Sequence, residues 1–225
     1  MLGIFDSGKG ALTVLRRVRA LYPTADICVR EDTENAPFGT KAPEELLRIV
    51  KRNIAALVGA GADRVLIGCC TASTVHDRLG RIERQISTPI IYPTAKRAVK
   101  ESKGGHIGVI CTHSTAESLA FTRHIRALSP KHKVTEVEAQ ELVTLIEGGA
   151  NDGNLLPENI DVIERALRGI REASVDTLIL GCTHFPLLKA TVGSLLPGVA
   201  LIDCAEAGAE FISPPSAGEG KTVYL

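Results

Sequence analysis

The sequence predicts an α/β protein made of two pseudo-symmetric halves, each a parallel sheet covered by helices. Three observations carry that expectation. Short apolar runs of strand length alternate with longer stretches of helical period, the pattern of parallel strands joined by crossover helices. A segment ending in Gly-Cys occurs twice, as Asp63-Arg-Val-Leu-Ile-Gly-Cys69 and Asp176-Thr-Leu-Ile-Leu-Gly-Cys182, with the same spacing from acid to cysteine. The opening run Leu2-Gly-Ile-Phe-Asp6 has a weaker counterpart, Ile107-Gly-Val-Ile-Cys111, 105 positions later, against 113 for the cysteines. A period near half the chain means duplication of one unit rather than a solenoid.

Taken in order, the strand candidates are 2–5, 27–30, 65–67, 90–92, 107–110, 134–137, 177–180 and 200–202, each a short apolar run between turn residues. Pro43 followed by Glu44 and Glu45 marks a first helical turn, because proline loses no hydrogen bond there and acids suit the positive end of the helix dipole. Leu46, Ile49, Val50, Leu57 and Val58 continue that helix. Val75, Leu79, Ile82 and Ile86 fall at steps of four, three and four, and Ile160, Ile163, Leu167 and Ile170 at three, four and three, so each set predicts one apolar helical stripe. The segment 213–220 reads as a loop, and 222–225 as a returning edge strand.

The 225 residues carry 26 Lys plus Arg against 26 Asp plus Glu, so no basic excess points to nucleic acid or an anionic membrane surface. Hydrophobic residues at 44% and charged residues at 23% are ordinary for a globular chain and exclude disorder. No run approaches the roughly 20 apolar residues of a membrane helix, and Asp6 interrupts any signal-peptide pattern. The expectation is a cytoplasmic protein whose six cysteines are reduced.

In open α/β sheets ligands bind beyond the carboxyl ends of the strands, where both Gly-Cys pairs fall. Two thiols approaching one carbon from opposite sides suit stereoinversion: a thiolate removes a proton from one face while a neutral thiol supplies one to the other. A free thiol has a pKa of about 8.5, so each needs help. Cys182 precedes Thr183 and His184 at the start of an expected helix, where His184 could accept or return a proton. Cys69 has only His76 nearby in sequence, so its carboxylate partner is expected to be Asp6. Cys28, Cys111 and Cys204 read as core residues, and the histidines at 106, 113, 124 and 132 as surface or helix-cap residues.

Asp6-Ser-Gly-Lys-Gly-Ala-Leu-Thr13, Pro37-Phe-Gly-Thr-Lys41, Gly68-Cys-Cys-Thr-Ala-Ser73 and Gly181-Cys-Thr-His-Phe-Pro-Leu-Leu188 resemble, in order and spacing, the signatures of glutamate racemases in the cofactor-independent aspartate/glutamate racemase superfamily. The resemblance implies two α/β domains facing each other across the active site, 1–93 plus 205–225 carrying Cys69 and 94–204 carrying Cys182. It implies interconversion of L- and D-glutamate for peptidoglycan, without cofactor or metal, in a homodimer. Cys69 and Cys182 would transfer the proton, with Asp6 assisting the first, and His184 and Glu147 the second. Asp6, Ser7, Phe38, Gly39, Cys70, Thr71, Thr112, Thr115, Thr183 and His184 would surround the amino acid. Two positions depart from the pattern: Cys70 stands where Asn is usual and Phe38 where Tyr is usual, and each swap removes hydrogen-bonding capacity.

Other readings fit less well. Cys69, Cys70, Cys182 and His184 lack the Cys-x2-Cys spacing of structural zinc, and adjacent cysteines are not the usual redox spacing. Gly8-Lys-Gly10 lacks a complete phosphate-loop or dinucleotide pattern and serves as a tight turn. A non-catalytic amino-acid-binding relative would have no use for opposed thiols.

Overall fold

The computed structural model describes residues 1–213 and 215–225. The first half runs β1 (Leu2–Asp6), α1 (Gly10–Leu21), β2 (Ile27–Glu31), α2 (Pro43–Gly59), β3 (Arg64–Ile67), α3 (Cys70–Ser73), α4 (Arg81–Ile86) and β4 (Ser87–Pro89). Helix α5 (Ile91–Glu101) leads to the second half: β5 (His106–Cys111), α6 (His113–Ser118), α7 (Ala120–Leu128), β6 (Lys133–Glu138), α8 (Gln140–Glu147), α9 (Pro157–Ala173), β7 (Thr177–Gly181), α10 (Lys189–Leu195) and β8 (Ala200–Asp203). Helix α11 (Cys204–Phe211) and β9 (Thr222–Tyr224) then return to the first sheet. The strand orders are β4-β3-β1-β2-β9 and β6-β5-β7-β8, with every strand pair parallel.

The duplication is present residue by residue. Phe5 pairs with Ile67 in the first sheet, and Ile110 pairs with Leu180 in the second, which preserves both sequence offsets. A methyl group added to Gly3 would meet Leu57 and Ala62, and one added to Gly108 would meet Ile170 and Val175, the equivalent positions 113 residues on. Each glycine therefore lets a covering helix settle close to its central strand. Helices α2 and α9 are both 17 residues long and both begin with proline.

Alternation along the strands divides the apolar residues between layers. Leu2, Ile4, Ile27 and Val29 of the first sheet, and Ile107, Val109, Ile179 and Ile202 of the second, meet in one core with α1, α5 and α11 between them. Phe5, Val65 and Ile67 turn outward to Leu46, Ile49, Val50 and Leu57 of α2, while Ile110, Leu178 and Leu180 turn outward to Ile163, Leu167 and Ile170 of α9. Both faces are covered, which is why the strands read as unbroken apolar runs. Asp203 caps α11, accepting from the N–H groups of Ala205 and Glu206 at 2.8 and 3.2 Å. It also faces Arg17 of α1 at 3.4 Å, joining the two helices by a charge as well as by packing.

Several local expectations are corrected. The strand expected at 90–92 lies earlier, at β4, and Ile91 already begins α5. The stripe from Val75 to Ile86 is not one helix. A 3-10 turn at His76–Arg78 ends before Gly80, whose extended backbone starts α4, and Ile82 is exposed. The side chain of Glu83 accepts from the Gly80 N–H, a local bond that begins a new helix instead of prolonging the old turn. The loop expected at 213–220, of which Pro214 lies outside the described residues, is clipped to the first half: Ala217 bridges Ala25, and Asp26 accepts from the N–H groups of Glu219 and Lys221. Beyond it β9 pairs with β2 as the edge strand expected. Among the described residues no helix is long and apolar enough to cross a membrane.

Candidate active site

Cys69 and Cys182 follow β3 and β7, equivalent strands of the two sheets. The glycines before them let the chain pass tightly over the central strands: a methyl on Gly68 would sit 3.1 Å from the Phe5 carbonyl, and one on Gly181 would sit 2.7 Å from the Ile110 carbonyl. Both cysteines are nearly enclosed, at 6% and 8% exposure. Cys182 is followed by a 3-10 turn, Phe185–Leu188, with Pro186 inside it, and α10 begins only at Lys189. The helix expected immediately after Cys182 is therefore displaced.

One continuous network joins the halves. The Cys69 thiol donates to Ser7 Oγ at 3.9 Å, and Ser7 Oγ donates to Asp6 Oδ1 at 3.1 Å. The Ser7 N–H also donates to Asp6 Oδ1, at 2.5 Å. From the second half, the Thr183 hydroxyl donates to Asp6 Oδ2 at 2.7 Å. Asp6, with no exposed surface, is thus shared between β1 and the loop after β7. Gly10 makes this approach possible, since a methyl there would lie 2.1 Å from Thr183 Oγ1 and 2.6 Å from Asp6 Oδ2.

Cys182 Sγ lies 3.6 Å from His184 Nδ1, and His184 Nε2 lies 3.9 Å from Glu147 Oε1 at the end of α8. A proton on Nε2 would face Glu147 and leave the Nδ1 lone pair directed to the thiol. His76, by contrast, turns away to Ser87 of β4.

Burial governs the titration of these groups. It raises the Asp6 carboxyl above the usual range, with the His184 charge and the Thr183 and Ser7 hydrogen bonds acting in the opposite sense. Burial, then the Asp6 charge, pushes the Cys69 thiol up to about 12. Burial also raises Cys182 well above the ordinary thiol range, against the pull of the His184 main-chain hydrogen bond. Buried as they are, both thiols favour the protonated form.

Beside this network, the hydroxyls of Thr71, Thr112 and Thr115 form a buried triangle with sides of 2.8, 2.9 and 3.2 Å. Gly39 belongs to the strap between β2 and α2, which Asp32 anchors by accepting from Asn53 and Asn35. Two residues that the sequence did not single out hold this strap against the second half. Ser114 Oγ donates to the carbonyls of Gly39 and Lys41 at 2.7 and 3.1 Å, and Gln140 lies against Gly39. The hydroxyl-rich run Thr112-His-Ser-Thr115 after β5 is the signal that could have identified Ser114.

The remaining expected site residues sit differently. Phe38 is buried in the outer core of the first sheet. Cys70 lies in the core shared by the two sheets, close to Cys204. A cleft of about 830 Å³ lies beyond the strap, lined by Lys41, Arg78, His113, Glu117 and Arg123 among others. Ser114 borders it, and neither Cys69 nor Cys182 does. Among the described residues no group of three or more His, Cys, Asp or Glu side chains is arranged to hold a metal ion.

Two parallel-sheet α/β units, with thiols at equivalent strand ends and one carboxylate bonded from both sides, have the architecture of the Asp/Glu racemase class. Comparisons agree. The family model described as Asp/Glu/Hydantoin racemase matches residues 39–212. The glutamate racemase of Desulforudis audaxviator is 37% identical, over 100% of this chain and 86% of that protein. The solved glutamate racemase from Thermus thermophilus, in complex with beta-chloro-D-alanine, superposes with a TM-score of 0.85 at 30% identity, over 100% of this chain and 86% of that one. That from Francisella tularensis, in complex with D-glutamate, gives 0.84 at 26% identity, over 93% and 78%. The chain belongs to the Asp/Glu/hydantoin racemase family, among the glutamate racemases.

Proposed function

We propose that the protein interconverts L- and D-glutamate by two-base proton transfer, with Cys69 and Cys182 acting on opposite faces of the α-carbon, and that it supplies D-glutamate for peptidoglycan. The observation that carries this reading is the network in which Asp6, hydrogen-bonded from both halves, reaches Cys69 through Ser7 while His184 lies beside Cys182.

In one direction the Cys69 proton passes through Ser7 to Asp6. The Cys69 thiolate then takes the α-proton, and Cys182 returns its own proton to the opposite face. In the other direction His184 Nδ1 accepts the Cys182 proton, held in orientation by Glu147, and Cys69 is the donor. A substrate ammonium beside Asp6 favours the thiolates, offsetting the burial that keeps the thiols protonated. The Thr71, Thr112 and Thr115 hydroxyls, turned from one another towards the ligand, and the Gly39 main chain supply donors for the carboxylates, while Ser7 and Thr183 keep theirs on Asp6. Because both sulfurs are almost enclosed, the halves must part to admit substrate.

The test is incubation of L-glutamate in deuterated water under reducing conditions. Deuterium should replace the α-hydrogen as optical rotation decays. No exchange with glutamate or aspartate at high protein concentration sinks the reading.

A further inference from the structure

Gln140 opens α8 and Glu147 closes it, seven residues apart, so their side chains leave the same face of the helix about two turns apart. Glu147 ends beside His184. Gln140 ends against the strap, where a methyl on Gly39 would meet its Oε1 at 2.5 Å and Thr112 Cβ at 3.0 Å. The His113 N–H donates to Gln140 Oε1 at 3.3 Å, which fixes the amide by its oxygen end. The half-buried Gln140 uses no acceptor for its NH2 group among the described residues.

The chemistry of the wall gives that NH2 group a use. The α-carbon must lie between the sulfurs and its ammonium beside the Asp6 carboxylate, so the side-chain carboxylate needs donors elsewhere. Thr71, Thr112 and Thr115 already bond to one another, and each hydroxyl has one proton to give. An amide fixed by its oxygen presents two more, and hydrogen bonds to an ionised acceptor are the strong ones.

We propose that Gln140 determines specificity by donating through Nε2 to the carboxylate at the far end of the substrate side chain, next to Thr112 and Gly39. Helix α8 then serves the site at both ends: Glu147 orients the proton-accepting histidine, and Gln140 reads the distal charge. This assignment rests on the glutamate reading above.

The test is steady-state racemisation of glutamate by wild type, Gln140→Met and Gln140→Glu, with thermal midpoints recorded alongside. Removal of one donor to a charged group predicts a rise in KM of about tenfold for Gln140→Met. Gln140→Glu places like charges together, so its KM should rise further and its preference should shift from glutamate towards glutamine. In both variants kcat should fall by less than KM rises. If wild type racemises glutamate and both variants keep KM within about twofold, including with lowered thermal midpoints, the assignment is overturned, since one hydrogen bond to a charged group is worth more than that. A wild type inert towards glutamate overturns the functional reading itself, and this assignment with it.

Discussion

Thr183→Val tests whether the hydrogen bond to Asp6 joins the two halves energetically. The substitution keeps the shape and removes one hydroxyl, which donates to Asp6 Oδ2 at 2.7 Å where neither residue meets bulk water. A hydrogen bond to a charged group contributes about 1.5 to 3 kcal/mol. For a chain of this size each kcal/mol lowers the thermal midpoint by about 2 to 4 °C, so the variant should melt about 3 to 12 °C lower. The same loss at the reacting centre predicts a fall in kcat/KM of roughly tenfold to a hundredfold. Thermal unfolding and α-hydrogen exchange should be measured in wild type, Thr183→Val, Asp6→Ala and the double variant. Once Asp6 is Ala, the Thr183 hydroxyl is a buried donor without its acceptor, so replacing it by methyl should cost nothing or stabilise. The loss seen with Asp6 should therefore vanish or change sign in the Asp6→Ala background. An equal loss in both, or a Thr183→Val change below about 0.5 kcal/mol, refutes the argument that this bond couples the halves.

Cys69→Ser and Cys182→Ser should each lower racemisation by at least about a thousandfold, within the range for loss of a positioned acid or base. Cys204→Ser should retain most of the activity, because Cys204 sits in the shared core against Cys70. Equal activity of all three in a polarimetric assay would remove the two-thiol mechanism. Stability should also decline as pH rises above about 9. The folded protein holds the protons of Cys69, raised to about 12, and of Cys70, Cys111 and Cys182, all well above their ordinary 9.0, whereas the unfolded chain releases them from about 9. The stabilisation is complete below that ordinary value and is lost at up to about 1.4 kcal/mol per pH unit for each such thiol. Urea midpoints from pH 7 to 10 should show the decline, and a flat profile would contradict the burial assigned to these sulfurs.

The sequence made the duplication visible because strand cores repeat under strong constraint: Gly3 and Gly108 each need a missing side chain, and apolar neighbours on both faces fix the register. Local punctuation was less legible. The spacing from Val75 to Ile86 has helical period, yet Gly80 breaks it, and the short apolar run at 90–92 that reads as a strand instead begins α5. At the candidate site, Asp6 and the two Gly-Cys pairs stand out in the sequence because they fall at strand ends, and Ser7 because it belongs to the Asp-Ser-Gly motif. Ser114 and Gln140 do not stand out, since each meets Gly39, distant in sequence and close only after folding. Phe38 also serves packing, since its ring fills the apolar space beneath α2.

The same duplication explains why the two thiols have different ionisable neighbours. Asp6 and Cys111 end equivalent central strands, so the carboxylate exists in one half only. Two positions after the paired cysteines stand Thr71 and His184, so the imidazole exists only in the other. Between them stand Cys70 and Thr183: the first turns into the shared core towards Cys204, and the second crosses to Asp6. Each half therefore contributes what its partner lacks, and the single carboxylate is held from both sides. In the proposed mechanism this asymmetry has a kinetic consequence. Ionisation of Cys69 depends on Asp6 through Ser7, and that of Cys182 on His184, so perturbing one base should change kcat and KM differently in the two directions, while kcat/KM falls equally in both. The equilibrium between enantiomers cannot move, whichever half is altered, because a catalyst changes both directions by the same factor at equilibrium.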